Sequence, residues 1–334
     1  MKILGIESTA HTFSCSICEY SNGKYAILSN EFKKYPSSKE GYIPRKLVEF
    51  HEQNYEEILL TSLKKSNTKF NELKAITYAR GPGMGHTLHF GYRVAKSISD
   101  KLNIPLIGVA HSLAHVEISN YLGKLKDPLV VYVSGGNTQL MIKEKNNYRI
   151  LGETLDIGIG NLLHTAGRII ETNPTDAIGL MTFSQEHVTK SKGTPEILEL
   201  PFTIKGMNFN FTGLQSALEK KVSEGKHSKN LLAYSLQETA LSILCEGIER
   251  AITLTGKKEF TICGGNARNK KLIEMCEEIA KIHDVKFYAC PFEYCGDQAG
   301  MIAFLGAKYY NSKFTPESNE PNQDVRLENE VIPK

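Results

Sequence analysis

The sequence predicts an α/β protein of two similar halves with a nucleotide-binding cleft between them, and three observations support this fold class. The chain has 334 residues, which is too long for a single compact core. Patterns typical of strands and of helices alternate along its length. Residues 2–20 form a strand, a short polar turn and a returning strand in this interpretation, and residues 129–142 repeat the arrangement. The two hairpins would form the floor of the cleft.

The polar turns of both hairpins are candidates for binding an anion such as phosphate, through hydroxyl and backbone N–H groups. The residues are Ser8, Thr9 and His11 in the first turn and Ser134, Gly135 and Gly136 in the second. An ordinary hairpin has the same pattern. The repetition therefore favours a phosphate site more than either hairpin does alone.

The rest of the first half has regular elements around a glycine-rich loop. Residues 30–46 lack a regular pattern. The loop at residues 80–86 contains three glycines, which allow a close approach of the backbone to a ligand or a neighbouring element. Apolar periodicity and short buried runs predict helices at 46–65 and 92–102 and strands at 73–79 and 104–109.

The second half contains another glycine-rich turn. Gly264 and Gly265 lie between a predicted strand and a predicted helix, where the nucleoside part of a nucleotide can bind, although an ordinary βα turn looks the same. Residues 171–199 are poorly patterned, and the polar residues from 312 predict a loosely ordered tail. The predicted elements are helices at 160–170, 214–223, 231–255, 270–282 and 301–310 and strands at 260–263 and 285–290.

Two histidines, His111 and His115, follow the buried strand at 104–109. In a helix, positions four apart lie on one face, so two imidazoles could bind one metal ion from the same side. Two histidines at this spacing also occur by chance in many helices, and a metal site would need further ligands from distant residues. Asp297 precedes the last helix, where it would either cap the helix or direct a carboxylate into the cleft.

Bulk composition bounds the class of protein. No apolar run approaches the roughly 20 residues that span a bilayer, and the start lacks a signal-peptide pattern, so we predict a cytoplasmic protein with no membrane partner. The seven cysteines are an odd number, as expected for reduced thiols. The net charge of +3 leaves nucleic-acid binding open, because a local basic patch suffices. Lys220, Lys221 and residues 226–229 are candidates, although solvated helix ends are the commoner explanation.

Five motifs occur together in this sequence. In chain order they are Ile6-Glu7-Ser8-Thr9-Ala10-His11-Thr12, His111-Ser112-Leu113-Ala114-His115, Tyr132-Val133-Ser134-Gly135-Gly136-Asn137-Thr138-Gln139, Gly152-Glu153-Thr154-Leu155-Asp156 and Gly296-Asp297. Their set and order resemble the Kae1/TsaD family, and the opening from Glu7 to Thr12 and the Tyr132 before the Ser-Gly-Gly turn look like those of archaeal Kae1 members. Members of this family transfer a threonylcarbamoyl group to N6 of adenosine 37 in tRNAs that read ANN codons, which gives t6A.

The resemblance implies the actin-like ATPase (ASKHA) fold, with two duplicated α/β halves around a central cleft. The first half would cover residues 1–127, completed by a C-terminal helix at about 300–320. The second half would cover residues 128–299, and residues 312–334 would form a polar tail.

The resemblance also implies a site. His111, His115 and Asp297 would be the catalytic residues and would hold one metal ion per subunit, iron or zinc, with Tyr132 as a candidate fourth ligand. The expected contacts to the adenine nucleotide and the other substrates are Ser8, Thr9, His11, Tyr132, Val133, Ser134, Gly135, Gly136, His164, Gly264, Gly265 and Asn269.

The implied reaction is an acyl transfer from threonylcarbamoyl-AMP to tRNA, with His11 as the candidate general base. The family also implies partners. The protein would be the catalytic subunit of a KEOPS-type complex, with a Bud32-like kinase and a Pcc1-like dimerising subunit.

Three departures from the family affect the nucleotide pocket. His164 stands where the family has an Asp that holds the ribose hydroxyls, and the HPGGP loop is not recognisable within residues 171–183. Arg268 interrupts the GGVAAN motif; it could supply charge to a phosphate or to RNA, but we expect it to be solvated. The first hypothesis is an active but divergent transferase, and the second is a catalytically impaired paralogue that binds nucleotide or partners. A metallopeptidase is the third; Ser112 replaces the general-base Glu of HExxH, which argues against it.

Overall fold

The computed structural model describes residues 1–36, 42–316 and 318–332, and these fold into two units. Unit 1 comprises Met1–Lys124, Glu144–Tyr148 and Gly296–Lys334, and unit 2 comprises Leu125–Lys143 and Arg149–Cys295. Within the described ranges, no helix combines the length and apolar character needed to cross a membrane.

The helices and strands follow one another in an α/β order. The first eight are β1 (Lys2–Glu7), β2 (Thr12–Ser21), β3 (Lys24–Lys34), α1 (Pro44–Lys65), β4 (Leu73–Gly81), α2 (Gly85–Leu102), β5 (Leu106–Ala110) and α3 (His111–Leu122). The next eight are β6 (Leu129–Val133), β7 (Thr138–Glu144), β8 (Asn147–Glu153), α4 (Ile159–Ile170), α5 (Ala177–Lys190), β9 (Ile204–Lys205), β10 (Asn208–Phe209) and α6 (Thr212–Ser223). The last six are α7 (Lys229–Thr255), β11 (Glu259–Cys263), α8 (Lys270–His283), β12 (Lys286–Ala289), α9 (Phe292–Cys295) and α10 (Ala299–Asn311).

The two units contain five-stranded sheets of the same design. The strand order is β3-β2-β1-β4-β5 in unit 1 and, in the corresponding direction, β8-β7-β6-β11-β12 in unit 2. In each sheet a hairpin pairs antiparallel, β1 with β2 and β6 with β7. On the other side of the hairpin two strands add in parallel, β4 and β5 in unit 1 and β11 and β12 in unit 2. The predicted α/β duplication and both predicted hairpins are confirmed.

Helix α10 packs on the unit 1 sheet at glycines. A Cβ on Gly5 would lie 2.5 Å from the backbone nitrogen of Ala303, and a Cβ on Gly306 would lie 2.0 Å from Thr77 Cγ2. Because the two backbones approach so closely, α10 has a fixed position against β1 and β4. The residues just before α10 are therefore held over the end of this sheet.

The segment 318–332 is also fixed, so the prediction of a loosely ordered tail is wrong there. Asn319 accepts a hydrogen bond from the Tyr78 hydroxyl, and its Oδ1 accepts one from the backbone N–H of Gly108 at 2.7 Å. Leu327 and Ile332 are each only 2 % exposed. Polar composition suggested a solvated tail, but a few apolar side chains and backbone hydrogen bonds suffice to dock it.

His51 on α1 is a neutral histidine in the apolar core of unit 1. Its side chain is completely buried, with the rings of Phe13, Phe50 and Phe90 at centroid distances of 5.5, 6.2 and 6.1 Å. Neither ring nitrogen has a hydrogen-bond partner in the part of the chain that the structure describes. Burial lowers the pKa of His51 to about 4, and the nearby His11 adds to this effect. The core therefore accepts His51 only without its charge.

We expect His51→Phe to make the protein less sensitive to acid. The pKa of an unfolded His is about 6.5, so between pH 6.5 and 4 the unfolded chain binds a proton that the folded chain does not. The free energy of unfolding of the wild type therefore falls as the pH falls through this window. The free energy of unfolding, measured with urea, should decrease between pH 7.5 and pH 4.5 in both proteins. This decrease should be about 2 to 3 kcal/mol smaller in the variant than in the wild type. Exposed His89 offers the control, since His89→Asn should keep the wild-type decrease; equal decreases in all three proteins would contradict the expectation.

Candidate metal centre

Helix α3 places two imidazoles side by side. The helix begins at His111, directly after β5, and His115 lies one turn later on the same face. Their ring centroids are 4.7 Å apart with an angle of 82° between the planes. His111 is 7 % exposed and His115 is 1 % exposed, so both rings belong to the interior of unit 1.

The carboxylate of Asp297 meets both rings. Its Oδ1 atom lies 3.5 Å from Nε2 of His111 and 3.6 Å from Nε2 of His115. Asp297 does not cap α10, because the side chain of the next residue, Gln298, accepts the hydrogen bond from Met301 N. The structure thus brings three predicted site residues together, with one ligand atom of each within 4.8 Å of the others.

Glu7 completes the arrangement, and sequence reasoning missed it. This carboxylate is fully buried at the end of β1. Its Oε2 lies 2.9 Å from Nδ1 of His111, and its Oε1 accepts hydrogen bonds from the backbone N–H and hydroxyl of Thr9 at 2.6 and 2.5 Å. The signal in the sequence was an acidic residue inside an apolar strand, a position that needs a polar partner. A His111 that donates from Nδ1 to Glu7 presents Nε2 to the space shared with Asp297 and His115.

The charges of this group shift the pKa values of its members. Burial alone would lower the pKa of His111, but the carboxylates of Glu7 and Asp297 outweigh burial and raise it to about 10. The pKa of Asp297 lies well below its usual value, because hydrogen bonds and charge from the two rings outweigh its burial. Burial and the neighbouring His111 lower the pKa of His115. A cation at Nε2 of His111 would therefore have to displace a proton, so acid should weaken its binding.

A second, partly buried ion pair links the two helices that define the site. Glu117 on α3 is 6 % exposed and contacts Lys308 of α10, and it accepts a hydrogen bond from the Tyr148 hydroxyl at 2.8 Å. Since α3 carries both imidazoles and Asp297 directly precedes the cap of α10, this pair fixes the distance between the histidines and the carboxylate.

The donor set fits a divalent transition metal. Two imidazole nitrogens and one carboxylate are the facial ligands typical of non-haem iron(II) and are also found around zinc. Bonds of about 2.1 Å in a tetrahedral arrangement put neighbouring ligand atoms about 3.4 Å apart. The observed 3.5 and 3.6 Å separations are close to that value. The residues would leave an open coordination position for a substrate.

The other predicted residues of the first hairpin have different contacts from those expected. The Ser8 hydroxyl donates to the carbonyl of Thr87 at 3.1 Å, and the Thr9 hydroxyl donates to Glu7. Both hydroxyl protons are used within the protein, so these two side chains hold the site in this structure, and their contact with a substrate anion stays a prediction. His11 stacks on Tyr42, with centroids 5.0 Å apart and an angle of 12°.

In unit 2, three glycine-containing turns pack against one another. A Cβ on Gly158 would lie 2.5 Å from the carbonyl oxygen of Gly135, and a Cβ on Gly160 would lie 2.5 Å from that of Ser134. Gly264 has a φ of +94°, and its Cβ would lie 2.6 Å from the carbonyl oxygen of Val133. Only glycine permits this close packing, which leaves backbone atoms lining the turns. Such a surface can bind a phosphate or the nucleoside close to the backbone.

Around these turns, Gly136 and Gly265 face open space, whereas Asn269 is 5 % exposed. The Oδ1 atom of Asn269 caps α8 at Leu272 N, while its Nδ2 atom has no hydrogen-bond partner among the described residues. A buried amide donor without a partner is costly, so Asn269 fits a site that a nucleotide completes. Tyr132 is 2 % exposed on β6 beside Gly264.

The departures from the family lie in the same unit. His164 on α4 is half-buried, and burial together with the charge of Arg168 lowers its pKa, so the ring is neutral near pH 7. The expectation that Arg268 is solvated is wrong, because its guanidinium lies 4.2 Å from the centroid of the Phe292 ring. Arg268 therefore packs within unit 2.

The duplicated sheets define the class of fold as actin-like ATPase. The solved structure of T. kodakarensis HypF has a TM-score of 0.59 with this chain and covers 95 % of it and 48 % of the HypF chain. At 15 % sequence identity this likeness concerns the fold alone.

The sequence comparisons give the family. The model described as TsaD: tRNA N6-adenosine threonylcarbamoyltransferase matches residues 26–304, and the chain belongs to this family. A protein of Staphylothermus marinus with that enzyme name is 40 % identical over an alignment of 337 positions, which covers 99 % of each chain. A protein of Methanosphaera stadtmanae, named probable bifunctional tRNA threonylcarbamoyladenosine biosynthesis protein, is 38 % identical over 312 residues, 93 % of this chain and 56 % of that one.

Proposed function

We propose that this chain transfers the threonylcarbamoyl group from threonylcarbamoyl-AMP to N6 of adenosine 37 in tRNAs that read ANN codons. His111, His115 and Asp297 would hold one metal ion, iron or zinc, with Tyr132 as a candidate fourth ligand. The adenine nucleotide would bind the glycine-lined turns of unit 2, at residues 134–136 and 264–265. Val133, His164 and Asn269 would add further contacts.

One observation carries the proposal for the site. A carboxylate that lies more than 180 positions after the histidines in the sequence points at both imidazoles at 3.5 and 3.6 Å. A chance pair of histidines on a helix would not be expected to gain an acidic partner from another element together with a buried carboxylate behind one ring. In a chain of this family, the arrangement supports a catalytic centre.

The chemistry can be assigned to groups of the chain. In the reaction, N6 of adenosine forms a bond to the carbamoyl carbon, the bond from this carbon to the phosphate oxygen of AMP breaks, and N6 loses a proton. A bound metal would act as a Lewis acid that orients the acyl donor and stabilises developing negative charge. Backbone N–H groups of the unit 2 turns would bind the leaving phosphate. The aromatic amine is a weak nucleophile, so orientation should supply much of the rate.

His11 is the candidate to receive the proton from N6, since it follows Thr9 in the loop that holds the site. We also propose that the chain works in the cytoplasm as the catalytic subunit of a KEOPS-type complex, with a Bud32-like kinase and a Pcc1-like dimerising subunit. The Methanosphaera stadtmanae relative is named bifunctional, and this chain matches 56 % of its length. This supports a transferase that works together with a second activity.

The test supplies purified chain, iron or zinc, synthetic threonylcarbamoyl-AMP and unmodified tRNA, with and without the two partner subunits. Nucleoside mass spectrometry should detect t6A only in tRNAs that carry the target adenosine. Metal and nucleotide binding without t6A under every condition would instead favour the impaired paralogue. Ser112 in place of a general-base Glu makes metal-dependent peptide cleavage the outcome least expected.

A further inference from the structure

Strand β2 buries two serines on the face of the unit 1 sheet that packs against α10. Ser14 and Ser16 are both completely buried. They alternate with Phe13 and Cys15, whose side chains lie in the apolar core on the opposite face. A buried hydroxyl without a hydrogen bond is costly, so a serine in an otherwise apolar strand indicates a specific partner. The partners of the two serines differ, and the difference concerns Asp297.

Ser14 links β2 to the start of α10. Its hydroxyl donates to the carbonyl of Glu31 on β3 at 2.8 Å and accepts the backbone N–H of Ala299 at 2.9 Å. Ala299 is the first residue of α10 and is completely buried. A Cβ on Gly5 would lie 2.7 Å from the carbonyl oxygen of Ala299, so this residue also rests directly on β1. Two neighbouring strands therefore set the position of Ala299.

Two further side chains bind the first turn of α10. The Oδ1 atom of Asn30 on β3 accepts the N–H of Gly300 at 3.1 Å. The Oε1 atom of Gln298 accepts the N–H of Met301, also at 3.1 Å. The first N–H groups of a helix have no partner within the helix, so they need acceptors from elsewhere. In α10 three consecutive N–H groups are bound by side chains, and two of these acceptors belong to the sheet.

This anchored turn lies next to the carboxylate of the candidate metal centre. Asp297 precedes Ala299 by two positions, and its Oδ1 atom lies 3.5 and 3.6 Å from the Nε2 atoms of the two histidines. The ion pair at Lys308 sets the distance between α3 and α10 from the ninth residue after Ala299, about 14 Å along the helix. Metal–ligand distances vary by only about 0.2 Å. The carboxylate therefore also needs a fixed point close to it, which the first turn of α10 provides.

We propose that Ser14 and Asn30 are positioning residues of the candidate metal centre. They act through the two backbone N–H groups that they accept at the start of α10, and so keep Asp297 within reach of both imidazoles. The inference rests on the proposed function, because it takes Asp297 and the two histidines as the metal ligands. It predicts that loss of either acceptor weakens metal binding by more than the accompanying loss of stability explains.

Ser16 provides a matched control for Ser14. Its hydroxyl donates to the carbonyl of Ser29 at 2.6 Å, which is the same kind of bond from β2 to β3 that Ser14 makes. Within the described part of the chain, Ser16 accepts no hydrogen bond from α10. Ser14→Ala and Ser16→Ala therefore remove equivalent bonds within the sheet, and only Ser14→Ala also releases the start of α10.

The test compares the full-length wild type with Ser14→Ala, Asn30→Ala and the control Ser16→Ala. Zn²⁺ affinity is measured by chelator competition, and stability by urea unfolding of the metal-free proteins. Ser14→Ala and Asn30→Ala should each bind Zn²⁺ about 10-fold more weakly, the lower end of the effect of removing a group that orients a metal ligand. Ser16→Ala should keep wild-type Zn²⁺ affinity, although its urea midpoint falls about as far as that of Ser14→Ala. Amide hydrogen exchange across residues 297–301 should accelerate in Ser14→Ala and not in Ser16→Ala.

Asn30→Asp adds a rescue to this test. The aspartate keeps the acceptor oxygen, and its negative charge is favourable at the start of a helix, so Zn²⁺ affinity should return at least to the wild-type value. Asn30 is only partly buried, so the two Asn30 variants decide the question even if Ser14→Ala fails to fold.

The outcomes separate this inference from the proposed function. Equal Zn²⁺ affinity in Ser14→Ala and Ser16→Ala would overturn the positioning role, as would equal losses in Asn30→Asp and Asn30→Ala or a wild type that binds no divalent metal. If the wild type forms t6A while Ser14→Ala and Asn30→Ala keep its Zn²⁺ affinity, the proposed function stands and this inference fails. If both variants lose Zn²⁺ affinity but the wild type forms no t6A, the reverse holds.

Discussion

Asp297→Asn is expected to abolish t6A formation and to reduce metal affinity more than any other single change in the chain. The Oδ1 atom of Asp297 faces both Nε2 atoms, at 3.5 and 3.6 Å, and carries negative charge. An amide of the same size has no negative charge and can turn an NH2 group toward the cation. Mutation of a residue that only orients a metal ligand lowers metal affinity about 10- to 100-fold. Removal of a ligand itself should therefore lower metal affinity by more than this. Chelator competition with Zn²⁺ or Fe²⁺ measures the affinity, and nucleoside mass spectrometry measures the product.

The same substitution has a second readout that does not depend on the metal. The carboxylate of Asp297 helps to raise the pKa of His111, so this pKa should fall in Asp297→Asn, as measured by NMR titration of the imidazole protons. Asp324→Asn is the matched control, because Asp324 is an exposed residue of the same unit. If Asp297→Asn kept wild-type metal affinity and t6A formation, the assignment of Asp297 as a metal ligand would be wrong.

The elements that sequence could predict are those in which local pattern and burial agree. Strands β1 and β6 are almost completely buried, and each is followed by a polar turn and a returning strand, so their apolar runs were recognisable. Helix α1 could be predicted in the same way, because buried Leu47, Ile58 and Leu59 recur on one face. The repeated hairpins then gave the duplication, which the strand orders confirm.

The elements that sequence missed have apolar residues on more than one face or hardly any buried ones. Helix α5 lies within the poorly patterned 171–199 region; it buries Leu180 but exposes Ile178 to 62 %, so no helical period is visible. Strand β3 has a single fully buried residue, Ser29. Helix α2 begins at Gly85, earlier than the predicted residue 92, because glycines disfavour a helix locally while Gly91 permits contact with Ser8.

The site was visible in the sequence only where a motif carried it. The i, i+4 spacing of His111 and His115 suggests a shared metal, but nothing in the spacing names a third ligand, and Asp297 entered through the family resemblance. Glu7 could not be assigned at all, because its partner His111 lies 104 positions away and only the sheet and α3 bring them together. A local pattern cannot encode such a long-range pair, although a buried acid in a strand does indicate that one exists.

Glu7→Gln is expected to lower metal affinity by about 10- to 100-fold, the typical effect of removing the carboxylate behind a metal-binding histidine. The Glu7 carboxylate accepts from Nδ1 of His111 at 2.9 Å and from Thr9 at 2.5 and 2.6 Å. Glutamine keeps the size but loses the charge, and its NH2 group cannot accept from either partner. His111 would then lose the fixed tautomer that presents Nε2, and its pKa would fall because Glu7 raises it. Affinity for Zn²⁺ by chelator competition and the imidazole titration both measure this.

The matched control separates orientation of the ligand from general loss of a buried carboxylate. Glu117 is also buried, at 6 % exposed, and lies on α3 with the two histidines, but its partners are Tyr148 and Lys308, not the imidazoles. Glu117→Gln leaves Lys308 with a weaker partner and should lower the free energy of unfolding while Zn²⁺ affinity changes little. Glu7→Gln should instead lower Zn²⁺ affinity well beyond any change in stability, and Glu7→Asp should recover part of it by restoring the charge. Equal losses of Zn²⁺ affinity in Glu7→Gln and Glu117→Gln would mean that both act only through the stability of unit 1, and the orienting role of Glu7 would have to be abandoned.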